Sequence, residues 1–458
     1  MAGVRRMATL SENGYLVCAM KLWLMLAGVF SCVSASQAAN LVDSVNAART
    51  FDTGLAAARA AYGAGQEKRW QGLAGLLPRA QVVADYTKQD QPSAPYAAAV
   101  HRHSYSVNVT QPLFDMSRVA GYRRGNVLAD KAEVEFRKAE QQVIVAVSDA
   151  YFDVLYQHDV LEAARSARQA FARQLDRAQA ALDVGDGTRT EVSEAQANFD
   201  EADARAVTAE NDLEVARVAY RRLTGLDGAA LQPIAWQCTS RVPPPSLDVA
   251  LGETDAENLD VRAAEFALAQ AKTDVMDANA AHLPVLDLRA SYGTNWSRGA
   301  NQNELDRIFG TTSKTRSTTV GVTLTIPLFA GGARLSQSRE AYRLRDQAEN
   351  LLEDARRKAR QGARSAYLGV IGGAALIRAR ERAVTSAGTK VESTRYGREV
   401  GLRTGIDELN AQQQYYDAIR SLAEARYKYL KDRISLSAVL GRLGDQDLES
   451  LECRASTG

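Results

Sequence analysis

Side chains that could do chemistry are sparse in this chain. Four histidines occur in 458 residues, and only His101 and His103 stand close together. Two imidazoles fall short of the three or four protein ligands that a zinc site needs. His101-Arg102-His103 therefore reads as a polar, solvent-facing part of a loop, and no metal is expected. Cys238 and Cys453 are the cysteines left once the first 38 residues are set aside. In an oxidising compartment they are compatible with a disulfide and equally with two buried thiols, because sequence fixes no Cα separation. The patterns G-x-x-x-x-G-K-[ST], H-E-x-x-H, C-x-x-C and G-x-S-x-G do not occur in the sequence. Neither catalysis nor a cofactor is expected, and the chemistry that remains is charge held in place by long structural elements.

Those elements follow an export signal. Lys21 precedes an apolar run from Leu22 to Phe30, and Ser36 and Ala38 have the spacing of a secretory cleavage site. Residues 1–38 are expected to be a signal peptide, with Met1 and Met20 as alternative starts because the leading segment is long for an n-region. Cys32 raises lipoprotein processing as a rival, which the bulky Phe30 fits poorly. Charged residues make up 24% and hydrophobic ones 46%, and 56 basic against 55 acidic side chains leave a net charge of +1. Nucleic-acid binding, which needs a clustered basic excess, is not expected. No later run approaches the about 20 apolar residues of a spanning helix. That excludes a polytopic helical membrane protein but not a β-barrel, whose strands need only about 9 to 11 residues each.

The chain is duplicated. Leu77-Pro78 with Tyr86 recurs 206 positions on as Leu283-Pro284 with Tyr292, and Pro112-Leu113-Phe114 recurs 215 positions on as Pro327-Leu328-Phe329. Tyr151 and Tyr367, Val184-Gly185 and Val400-Gly401, Ala195 and Ala411, and Gly225 and Gly441 pair at 216. None of the ten prolines falls in 113–232 or 328–458. Proline inside a helix costs about 3 kcal/mol, so these two intervals are the ones free to be helical.

Residues 126–184 contain neither Gly nor Pro and predict one very long helix. Leu161, Ala164, Phe171, Leu175, Ala178 and Leu182 keep a three-to-four spacing broken only at Arg168. The return segment runs Val192, Ala195, Phe199, Ala202, Ala206, Ala209, Leu213, Ala216, Tyr220 and Leu223 without a miss, which is a coiled-coil seam. Tyr415, Ala418, Leu422, Ala425, Tyr429, Leu436 and Val439 repeat it in the second half, with Asp432 as the exception. An outgoing helix over 114–184 would span about 106 Å and a return over 188–224 only about 55 Å, so half of the long helix lacks a partner. By symmetry, helices over 42–77 and 249–283 are expected to fill the two gaps, although glycines at 54, 63, 65, 72 and 75 make the first a weak helix former.

Alternating apolar residues predict four strands: Val82, Ala84 and Tyr86; Tyr105, Val107 and Val109; Leu286, Leu288, Ala290 and Tyr292; and Val320, Val322, Leu324 and Ile326. Four strands cannot close a membrane barrel. Either several protomers share one barrel, three giving twelve strands, or the strands form a small soluble sheet capping a helical rod. The expected organisation is a signal peptide (1–38), an N-terminal helical segment (39–77), a β-hairpin (78–112), a helical hairpin (113–225), an inter-repeat segment with a helix (226–283), a second β-hairpin (284–327), a second helical hairpin (328–441) and a C-terminal tail (442–458).

Over essentially the whole mature chain these features resemble the TolC family of outer-membrane export ducts. The residues that carry the likeness are the paired Leu-Pro and Pro-Leu-Phe motifs, the two Val-Gly tips, Leu223-Thr224-Gly225, the run from Val400 to Asp407, and Leu440-Gly441 followed by Asp445-Gln446-Asp447-Leu448. The resemblance implies a mainly α fold with a small β part, in a homotrimer with a twelve-stranded outer-membrane β-barrel and a periplasmic α-barrel tunnel of antiparallel coiled-coil helices. The segments between and after the repeats would form an equatorial belt, and loops 88–103 and 294–316 would face outside. The expected function is type I secretion of a protein, a toxin in this reading. Expected partners are a periplasmic membrane-fusion adaptor, an inner-membrane ABC transporter or other exporter, and outer-membrane lipid. A multidrug efflux duct is the alternative within the family, and a periplasmic structural coiled coil without a pore is the alternative from another class.

The resemblance also implies a site at the hairpin tips. Arg403 matches an arginine that latches the tunnel entrance against a threonine and an acid of the first half, here Thr190 and Glu191. Arg398 stands where the family has a tyrosine that joins the latch, which adds positive charge. Asp407 and Asn410 match two aspartates that line the constriction and select cations, so one of two acidic rings is expected to remain.

Overall fold

The computed structural model describes residues 39–90, 99–234, 245–299, 304, 308 and 313–452. The expected signal peptide and both Cys238 and Cys453 lie outside the described residues. In chain order the elements are α1 (Leu41–Phe51), α2 (Thr53–Ala74), β1 (Arg79–Asp90), β2 (Ala99–Phe114), α3 (Met116–Asp183), α4 (Arg189–Thr224), α5 (Leu247–Glu257), α6 (Leu259–Ala280), β3 (Val285–Gly299), β4 (Ser313–Thr325), α7 (Ala333–Glu399), α8 (Gly405–Val439) and α9 (Asp445–Glu452). Among the described residues the molecule is mainly helical, with long antiparallel helical hairpins and one four-stranded sheet. No described helix is long and apolar enough to cross a membrane.

The two longest helices, α3 with 68 residues and α7 with 67, each run about 100 Å. Each is covered by two partners in turn, α3 by α2 and then α4, and α7 by α6 and then α8. On α4 the seam residues Ala195, Ala202, Ala206, Ala209, Leu213 and Tyr220 are all buried. The exceptions to the spacing are side chains that reach out to a counter-charge: Arg168 Nε lies 2.7 Å from Asp203 Oδ1, and Asp432 Oδ2 lies 3.4 Å from Lys428 Nζ. Two glycines of α2, Gly65 and Gly72, have a packing reason. A methyl group on Gly65 would collide with Ala132, and one on Gly125 with the Lys68 carbonyl, so α2 and α3 approach at backbone distance. Tyr62 stacks on Phe136 alongside, with ring centroids 5.5 Å apart.

The expected single helix over 42–77 is instead two, and so is its counterpart over 249–283. Asp52 ends α1 in an extended conformation and caps α2, its carboxylate accepting from the Leu55 N–H at 2.7 Å. Asn258 does the same between α5 and α6, accepting from the N–H groups of Asp260 and Val261 at 3.0 and 3.2 Å. A side chain that satisfies the orphan donors of a new helix start lets the chain turn without leaving them unpaired. The largest buried cluster surrounds this level: Leu41, Val45, Tyr151, Phe152, Tyr220 and Leu430 pack together, and the Tyr220 hydroxyl lies 2.7 Å from Ser44 Oγ.

The sheet is antiparallel in the order β1-β2-β3-β4. Its strands are longer than the sequence pattern indicated. The ends of the segments expected as loops over 88–103 and 294–316 are strand, at 88–90, 99–103, 294–299 and 313–316, while 91–98 and most of 300–312 lie outside the described residues; His101 and His103 sit in β2 rather than in a polar loop. The register accounts for this, because His103 pairs with Tyr86 on one side and Trp296 on the other. Its ring lies 4.9 Å from Tyr86 and 5.2 Å from Trp296. Among the described residues no group could hold a metal ion.

The two faces of the sheet differ. One carries Val82, Val107, Tyr292, Val320, Val322 and Leu324 by register, and these are open to the surroundings, Val82 at 74% and Val320 at 70% exposure. The other carries small polar side chains such as Ser104, Ser106, Ser291, Asn295, Thr319 and Thr323. Neither β1 nor β4 has a further partner on its outer edge among the described residues. An apolar face backed by a polar face is the alternation found in a water-filled membrane barrel, and both outer strands leave their edges open for pairing.

Candidate functional site at the helical hairpin tips

At the end remote from the sheet, both hairpins turn in the same way. Gly185 and Gly401 adopt φ of +84° and +76°, a conformation glycine enters without steric cost. After each glycine a threonine starts the return helix with a capping box. Thr188 Oγ1 accepts from the Glu191 N–H at 3.2 Å while Glu191 Oε2 accepts from the Thr188 N–H at 2.9 Å. Thr404 and Asp407 repeat the pattern at 3.3 and 3.1 Å. Asp407 is thus the counterpart of Glu191, 216 positions on. The Thr404 backbone N–H, then its hydroxyl, with Arg403 and Lys390 nearby, hold the Asp407 carboxyl below the usual aspartate range. The cap fixes this charge at the tip and keeps it ionised.

Arg403 is exposed beside Asp407, with its own N–H donated to the Gly397 carbonyl at 3.1 Å. Thr190 is exposed in the first turn of α4, and Asn410 is exposed one turn beyond Asp407. The fold brings Arg403 and Asp407 together, and Thr188 and Glu191 together. Within the described chain no hydrogen bond or ion pair joins Arg403 to Thr190 or Glu191.

Arg398, in the last turn of α7, has a different partner. Its Nε lies 2.9 Å from Glu408 Oε2, and Glu408 is buried to 1% exposure. The approach is that of an ion pair rather than a well-directed hydrogen bond. Gln412 Nε2 donates to the other Glu408 oxygen at 3.3 Å, and the buried Gln174 of α3 reaches the start of α8 at Gly405. Sequence reasoning missed Glu408, Gln412 and Gln174. The signal for Glu408 was available, since seven residues back along the seam from Tyr415 falls on an acid. Nearby, Ala167, Phe171, Ala202 and Leu409 form the apolar cluster that ties the two hairpins together.

The family described as "Outer membrane efflux protein" matches residues 27–226 and 250–442. The outer membrane protein TolC of Escherichia coli is 31% identical over 425 residues, covering 91% of this chain and 85% of TolC. The alkaline protease secretion protein AprF of Pseudomonas aeruginosa is 31% identical over 453 residues, covering 95% of this chain and 91% of AprF. The crystal structure of the outer membrane protein VceC from Vibrio cholerae superposes with a TM-score of 0.75 at 19% identity, over 88% of this chain and 96% of that one. With long paired helices, a sheet that is apolar on one face and polar on the other, and a match across most of its length, the chain belongs to the outer membrane efflux protein family and is an outer-membrane protein of the TolC type.

Proposed function

We propose that the protein is the outer-membrane duct of a type I secretion system, a homotrimer that receives a protein, in our reading a toxin, from an inner-membrane ABC exporter through a periplasmic adaptor. The observation that carries the duct is the sheet: four strands, two open edges, an apolar face and a face of small polar residues. Three such sheets joined edge to edge make twelve strands, a closed barrel with a wet interior. The helical hairpins then extend about 100 Å into the periplasm. The alkaline protease secretion for which the relative AprF is named favours protein cargo, while the efflux for which the family is named favours small molecules as the second reading. Mass measurement of the detergent-extracted folded protein tests the shared barrel, and three copies are expected. A monomer with no ion conductance in planar bilayers would reject it in favour of a structural coiled coil. Loss of toxin export with drug sensitivity unchanged in a deletion strain separates secretion from efflux.

In this reading the tips form the inner entrance. Three Asp407 carboxylates ring the pore, with Asn410 leaving the second ring uncharged. Arg403, exposed at its tip, would bond Thr190 and Glu191 of a neighbouring hairpin, and Arg398 would brace the second tip through Glu408. Arg403→Ser is expected to raise single-channel conductance, and unchanged conductance would remove Arg403 from the latch.

A further inference from the structure

Where the sheet meets the helices, the first repeat has a basic cavity. It opens between α2, the start of α3 and the first residue of β1, with a volume of about 310 Å³, at the lower end of the about 300 to 1,000 Å³ of small-ligand pockets. Lys68, Arg79, Arg118 and Arg124 line it, and no acid does. Two of these charges are answered from outside the lining. Asp115 Oδ2 lies 2.9 Å from Arg118 Nε, and Asp274 Oδ1 lies 3.4 Å from Arg124 Nη1. Arg118 Nη1 also donates to the Gly75 carbonyl at 3.1 Å, which holds the guanidinium in place. Lys68 Nζ donates to the neutral Gln71 Oε1 at 3.1 Å, and among the described residues no acid pairs with Lys68 or Arg79. Gly121 keeps the cavity open: a Cβ built there meets nothing within 4 Å, whereas one on Gly125 would strike the Lys68 carbonyl.

Duplication supplies an internal control. Counting 206 positions on from α2 and β1, and 216 from α3, the residues Lys68, Arg79, Arg118 and Arg124 correspond to Asp274, Val285, Arg334 and Glu340, and Gly121 corresponds to Gln337. The second repeat builds its junction from the matching elements α6, β3 and α7, yet it places one cation and two acids at these positions and a long side chain where the first has none. Packing a helix pair onto a strand start therefore does not require four cations. In the first repeat four cations stand against two acids, and like charges around one space repel unless an anion enters. Guanidinium groups match phosphate oxygens two at a time, and a lysine adds a compact charge beside them.

We propose that this cavity is a phosphate-binding site, taking the group as the free ion or as the headgroup of a phospholipid, with Lys68 and Arg79 supplying the unbalanced charge and Arg118 and Arg124 completing the ring. The site lies within one chain, so it goes beyond the duct reading and does not depend on it. The test is isothermal titration calorimetry of the intact protein in neutral detergent with inorganic phosphate, dihexanoyl phosphatidic acid, uncharged dihexanoyl glycerol and hexaglutamate. Saturable binding of phosphate or of phosphatidic acid is expected. Phosphatidic acid bound at least about tenfold more tightly than phosphate assigns the site to a lipid headgroup, and comparable or weaker binding of the lipid assigns it to the free ion. Lys68→Gln with Arg79→Gln should weaken binding at least about tenfold. Arg69→Gln, on the same helix but paired with Asp130, should leave it unchanged. If the double variant does not fold, Gly121→Leu gives the same reading, since its side chain enters the open space and should abolish binding. Binding of neither phosphate probe, equal binding of the two lipids without binding of phosphate, an affinity undiminished in the variants, or binding of hexaglutamate alone would overturn the inference. A conducting pore that binds no phosphate defeats this inference alone, whereas a phosphate-binding protein that does not conduct defeats the duct reading alone.

Discussion

The two hairpin tips share a turn and a cap but differ in what lies behind them. Counting 216 positions back, Arg398 and Glu408 of the second hairpin correspond to Leu182 and Val192 of the first. Where the first tip has an apolar pair, the second has an ion pair with its acid at 1% exposure. Duplication preserved the backbone, including both positive-φ glycines and both threonine caps, while the side chains behind the turn diverged. Burying a carboxylate removes it from water, and attraction to one guanidinium offsets that only partly. The second tip is therefore held by an interaction that fails sharply when one partner is lost.

Removing one partner of the ion pair gives the largest expected difference between the tips. Arg398→Leu leaves Glu408 buried without a counter-charge and should cost about 3 to 5 kcal/mol, read as a lowered unfolding midpoint by helical circular dichroism. Arg398→Leu combined with Glu408→Val copies the first tip and should recover most of that loss, and a double variant as unstable as the single one would contradict the equivalence. The caps should behave alike. Thr188→Ala and Thr404→Ala should each cost about 1 kcal/mol, seen as faster amide exchange in the first turns of α4 and α8, and a clear inequality would mean that the tips do not share their backbone energetics. The smallest change concerns pH. Because the Asp407 carboxyl is held below its usual range, its charge and its cap persist above the ordinary aspartate value of about 3.9. Both are lost only as pH falls through the lower, folded value. Cation preference in asymmetric KCl should therefore survive acidification to about pH 4, while Asp407→Ala should abolish it at neutral pH.

Much of the helical frame was legible because burial repeats along it. The α4 seam from Val192 to Leu223 needed no structure, and the tips followed from Val-Gly repeated at one offset. The break at Asp52 escaped because glycine-rich composition suggested a weak helix, not a capped one. Yet Asp52 and Asn258, both good caps, lie 206 positions apart, the offset of the strand starts. His101 and His103 were misplaced because imidazoles look polar in a sequence, whereas between Tyr86 and Trp296 they act as aromatic surface. Glu408 escaped for a related reason, since an acid beside Asp407 reads as part of a solvated turn until the seam is carried back through it.

The open edges of the sheet carry a genetic consequence. A barrel assembled from three chains has no intact unit smaller than the whole, so a protomer whose β4 edge cannot pair spoils every assembly it enters. In a cell expressing normal and defective copies equally, random mixing leaves only about one assembly in eight free of the defect. Edge mutations should therefore be inherited as dominant, while mutations confined to one protomer's helical core, which remove that chain before assembly, should be recessive.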